Sequence, residues 1–154
     1  MEWIKLSIAP VKDLISFLHK KSKTNDVQKK QLLIELRNNL NVFSNGFINE
    51  SPYDSIIDLL ANEAYQNAIK ENFPFRRLRA GKILSAHIKD DRNKKYQGWD
   101  SEKLYDKIDE KITELKNIKK LNKGSVEGVK NNIPLMMSNL YFRMKLMADF
   151  IKAE

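Results

Sequence analysis

Apolar residues return at three- and four-residue intervals along most of this chain and show no convincing alternation with polar ones, which points to helices. At 100° per residue, Val11, Leu14, Ile15 and Leu18 share one face. Leu32, Leu33, Leu36, Leu40, Phe43 and Phe47 continue that face if the helix runs unbroken from Pro10. Between them Ser22, Asn25 and Lys29 are polar, so two arrangements stay open. Either one helix spans Pro10 to about Asn45 with a solvated middle, or a break near Thr24–Asn25–Asp26 parts two helices. Asn45-Gly46 is a good stop, because both residues tolerate the left-handed conformation of a helix C-terminus.

Ser51-Pro52-Tyr53-Asp54 carries a capping residue, a proline suited to a first helical turn and an acid at the positive end of the dipole. It predicts a helix to about Glu71 that buries Tyr53, Ile56, Ile57, Leu60, Ala64 and Ala68, with Asn67 also inward. Asn72-Phe73-Pro74 ends it, since the residue before a proline is pushed out of helical geometry. Ile83, Leu84, His87 and Ile88 predict a short helix over about Leu78–Ile88. Asp100 or Ser101 then caps a helix to about Leu121 that buries Leu104, Ile108, Ile112, Leu115 and Ile118. Lys123–Gly128 is a turn, and the last helix runs from near Pro134 to Ile151. That helix is apolar over more than half its circumference, which suits the centre of a core or a contact with another subunit. Ile4–Ile8 alternates but has no partner strand, and a lone strand is not stable. The fold class is therefore all-α: one domain over 1–154, an antiparallel bundle of four to five helices, with a less regular basic segment at 73–99.

Composition closes several routes to function. There is no cysteine, hence no disulfide, thiolate–zinc site or thiol nucleophile. Five glycines and four prolines are too few to punctuate a β-sandwich. The longest uncharged runs, Asn38–Asn49 and Asn131–Phe142, fall short of the ~20 residues that span a bilayer. Glu2, Lys5 and Pro10 stand where a secretory leader would be apolar, so a soluble, cytoplasmic protein with no membrane contact is expected. His19 and His87 lack neighbours at metal-ligand spacing, so no metal or cofactor is expected. Gly124–Gly128 follows no strand and reads as a turn, not a phosphate-cradling loop. An enzymatic reading would rest on His87 with its neighbouring arginines and is not favoured.

Charge supplies the remaining signal. Residues 73–95 carry +6 of the chain's formal +8 and four of its six arginines. Arg76, Arg77, Arg79, Lys82, Lys94 and Lys95 are the expected anion contacts, with Phe75, Tyr96 and Trp99 placed to stack on unpaired bases. The rival reading is a solvated loop whose aromatic residues dock it on the core and whose cations meet acids of the 51–72 helix. The helix over 101–121 carries interleaved acids and lysines and reads as a solvated outer face. Arg143 lies within the apolar arc of the last helix and needs a carboxylate if buried, with Glu63 or Glu35 as the expected partner. The expectation is a non-enzymatic binding protein that contacts nucleic acid or another polyanion through 73–99. The alternative is an accessory subunit, homo- or hetero-oligomeric, that packs its Met-rich C-terminal helix on a protein partner.

Overall fold

The computed structural model describes residues 1–154, of which 71% are in α- or 3-10 helix and none in a strand. Six α-helices form the bundle: α1 (Ile8–Lys21), α2 (Val27–Ile48), α3 (Tyr53–Leu59), α4 (Glu63–Lys70), α5 (Ser101–Leu121) and α6 (Ile133–Lys152). A 3-10 turn at Glu2–Ser7 precedes them, and three more, Phe75–Arg77, Ser85–His87 and Asp91–Tyr96, punctuate the segment between α4 and α5. No helix is long and apolar enough to cross a membrane.

The first ambiguity resolves in favour of a break. Asp26 accepts the Lys29 N–H at 3.3 Å as the cap of α2, and the Thr24 hydroxyl accepts the Asp26 N–H. This local capping outweighs the shared face of the flanking helices. α2 returns along α1 far enough to bring Phe43 against Trp3, their ring centroids 6.1 Å apart.

The expected 51–71 helix is instead two, and the count rises to six. Leu60 is extended (φ −67°, ψ 138°), and two polar residues of α2 hold the chain there. Asn39 donates to the Ala61 carbonyl at 2.8 Å and accepts the Ala61 N–H at 2.9 Å. One turn earlier, the Glu35 carboxylate accepts the N–H groups of Ala64 and Tyr65, at 2.8 and 3.3 Å. These bonds supply the orphan donors at the start of α4, which has no cap of its own. Asn67, expected inward, is exposed because α4 is rotated relative to α3.

α6 is the axle of the bundle. Every residue from Leu140 to Ala148 is buried, under α1, α2, α5 and the irregular segment. Met137, Met144 and Met147 are fully enclosed in this chain's own core, while Leu135 and part of Met136 remain at the surface. Thirty-six buried hydrophobic residues make one cluster, each large one worth about 1.5–3 kcal/mol on burial.

Candidate polyanion-binding surface

The segment from Phe73 to Trp99 is laid over α6 and the start of α5, and its own residues fasten it there. Phe73 and Phe75 are buried at 3% and 5% exposure, edge to face at 5.2 Å, with Phe75 also against the stacked rings of Tyr65 and Tyr105. The Ser101 hydroxyl lies within donating distance of the carbonyls of Phe75 and Arg79. Ile83 exchanges backbone hydrogen bonds with Trp99 and Gly98, which sets Lys82 against Asp100 in an isolated antiparallel bridge. The short helix expected over Leu78–Ile88 is reduced to the turn Ser85–His87, since this pairing and the positive φ of Gly81 (79°) oppose it. Farther on, Asn93 donates to the Phe142 carbonyl at 2.9 Å, and Arg92 lies over the Phe142 ring.

The expected contact residues fall into three groups. Arg77 and Arg79 hold the scaffold together. Arg77 forks onto both oxygens of Asp26 at 2.9 and 2.8 Å and covers the Phe73 ring. That hydrogen bonding pulls the Asp26 carboxyl below its ordinary pKa. Arg79 donates to the Phe150 carbonyl at 2.5 Å and to Ala80, with its guanidinium 4.1 Å above the Phe150 ring. Arg76, Lys82, Lys94 and Lys95 are exposed. Of these only Lys94 has an acid in reach, the still more exposed Asp91 at 3.4 Å. Lys89 adds another exposed cation without an ion pair.

The aromatic residues do not stand ready to stack. Phe75 and Tyr96 are inside the core, because the segment needs apolar anchors to bind a helix bundle without α-helices of its own. Trp99 is half-buried, and the Lys103 ammonium sits 4.4 Å above its ring.

Arg143 is buried as expected, at 3% exposure, but its partner is neither Glu63 nor Glu35. Its Nε donates to the Tyr96 hydroxyl at 2.8 Å, its Nη1 has no partner, and no carboxylate approaches within 4 Å. Glu63 is exposed in the first turn of α4, while the oxygens of Glu35 serve the α4 backbone and the Tyr105 hydroxyl. Asp54, read as a helix-end acid, also accepts from the Ser125 hydroxyl and the Val126 N–H and so anchors the turn before α6. His87 is half-buried against Phe150, and its Nδ1 accepts the Leu84 N–H. Burial, with Arg79 and Lys89 near it, lowers its pKa.

One concavity gathers cations. A cleft of about 350 Å³ is lined by Arg76, Arg79 and Lys82 on one side and by Asp100, Ser101 and Glu102 on the other. Asp100 is engaged as the cap of α5, accepting the Lys103 N–H at 2.9 Å. Compared with known protein families, curated proteins and solved structures, the chain matches none. The corner where Arg76 and Lys82 meet could not be read from charge counts, because what separates them from Arg77 and Arg79 is tertiary.

Proposed function

We propose that this chain is a non-catalytic binding protein that contacts a polyanion, with nucleic acid as the expected ligand, through the free cations of the 73–99 segment. The observation that carries the reading is that Arg76, Lys82, Lys89 and Lys95 are exposed and have no carboxylate in reach, although the same segment satisfies its other arginines internally. Exposed cations left without an ion pair raise the local positive potential and draw phosphates, and Arg76 and Lys82 line one cleft. With Phe75 and Tyr96 buried, the contact is charge to phosphate, without base stacking, and so indifferent to sequence. A cytoplasmic setting, where nucleic acid is at hand, belongs to the same reading.

The test is fluorescence anisotropy with a labelled duplex DNA and a single-stranded RNA across a salt series. Neutralising about four phosphates gives a log–log slope of about −3.6 on the duplex and about −2.8 on the single strand. An affinity that does not change with salt overturns the reading.

A further inference from the structure

The groove between α2 and α3 is a separate concave surface of about 300 Å³, and none of its ten lining residues is charged. In a chain with 31% charged residues, that neutrality is unusual for an exposed site. Asn38, Asn41, Asn45 and Asn49 run along the α2 side at three- and four-residue spacing, while Ser51 and Ser55 line the other side. Val42, Ile56 and the largely exposed Leu59 supply the apolar part. Gly46 brings the helices together: a Cβ at this position would stand 2.7 Å from the Ile56 Cδ1. Asn38 accepts from the Arg37 guanidinium, and Asn49 donates to the Asn45 carbonyl. The side chains of Asn41, Asn45, Ser51 and Ser55 make no hydrogen bond within the protein, so their bonding capacity faces solvent unspent.

We propose that this groove binds an extended peptide of uncharged residues, with the asparagine carboxamides pairing with its backbone. A carboxamide offers the same donor and acceptor as a peptide group, so the two match one for one. The spacing agrees as well. Successive asparagines four residues apart rise about 6 Å along α2, and an extended chain presents same-edge peptide groups every ~6.7 Å. Asn41 and Asn45, the two carboxamides with no bond inside the protein, thus keep step with a short strand. Other ligands fit less well. A polyanion finds no cation among the lining residues, Arg37 being engaged by Asn38, and a base or sugar ring finds no aromatic face to stack on. The site is independent of the polyanion surface, and neither reading needs the other.

The probe is a blocked pentapeptide, acetyl-Val-Thr-Val-Thr-Val-amide, titrated into the ¹⁵N-labelled protein while the asparagine side-chain amide signals are followed by NMR. The expected result is saturable shifts at Asn41 and Asn45 that do not change with salt. In Asn41→Ala/Asn45→Ala the affinity falls roughly tenfold, the loss of two hydrogen bonds of ordinary strength. Leu59→Lys, which puts a charge at the rim without touching the carboxamides, also weakens binding, and both variants keep the wild-type melting temperature. No shift up to millimolar peptide, an equal response to maltotriose, or undiminished binding by the double variant each overturns the proposal.

Discussion

Glu35 is the only acidic residue among the buried ones, and its carboxylate is asked to do two opposed things. Burial pushes its pKa up to about 7, while the Tyr105 hydroxyl and the N–H groups of Ala64 and Tyr65 favour the ionised form and limit the rise. Glu63, close by, adds to the upward push. The sign of the stability effect follows from linkage. Below about pH 4.5 the group is protonated in both the folded and the unfolded chain. Between pH 4.5 and 7 the unfolded chain releases its proton first, so folding loses stability as pH rises. Above pH 7 the loss is complete, at roughly 3 kcal/mol for a rise of this size. Glu35→Gln keeps an acceptor for the Ala64 N–H and removes the ionisation. In urea melts at several pH values, the variant is expected to match the wild type near pH 4.5 and to exceed it above pH 7. Parallel profiles would refute this account. Arg143 is the matching residue of opposite sign. With one hydroxyl and no carboxylate as partners, it departs from the rule that buried charges are paired.

At the scale of elements, α3 and α4 teach the most, because their sequence is continuous and their backbone is not. Nothing between Tyr53 and Lys70 is a helix breaker, and the apolar spacing runs through. The chain turns at Leu60 because Asn39 and Glu35, four residues apart on α2, take over the backbone groups of Ala61, Ala64 and Tyr65. Asn39→Ala leaves both Ala61 groups without a partner in a half-buried place, which is expected to cost about 2 kcal/mol. It should also speed amide exchange across Ala61–Ala64. Asn41→Ala, on the exposed side of the same helix, should change neither, which separates the clamp from helix propensity. This contrast also explains what the sequence could disclose. The span of α5 was readable, with only its cap left between Asp100 and Ser101, because the cap is local and the buried stripe of Leu104, Ile108, Ile112 and Leu115 is regular, although Ile118 is only half-buried. α6 announced its central place through an apolar surface too wide for a peripheral helix. The α3–α4 break and the backbone pairing of Ile83 depend on partners 22 to 30 residues distant for the first and on Gly98–Trp99 for the second, so no local pattern held them. The candidate surface was legible as a charge excess. Which cations stayed free was not, since Asp26 and the Phe150 carbonyl come from other elements.

Seen across the whole molecule, the basic segment serves two purposes with one residue type. It lacks α-helix of its own, so it is tied down by Phe73, Phe75 and Tyr96 in the core and by arginines spread over Phe73, Phe142 and Phe150. The cations left over are the ones that can meet a ligand. Stability and binding should therefore separate along the segment. Arg79→Ala removes a stacked guanidinium and its bond to the Phe150 carbonyl, and should lower the melting temperature by roughly 2–6 °C while leaving the salt slope of polyanion binding unchanged. Arg76→Ala, Lys82→Ala and Lys95→Ala touch no internal carboxylate. Each should keep the wild-type melting temperature and make the slope on duplex DNA shallower by about 0.9, one phosphate contact apiece. Calorimetry and the anisotropy salt series, run on the same four variants, read the two effects separately. If Arg79→Ala shifted the slope as far as Arg76→Ala does, the division into fastening and contacting cations would fail. The segment would then act as a diffuse positive field, in which position along the chain carries no meaning.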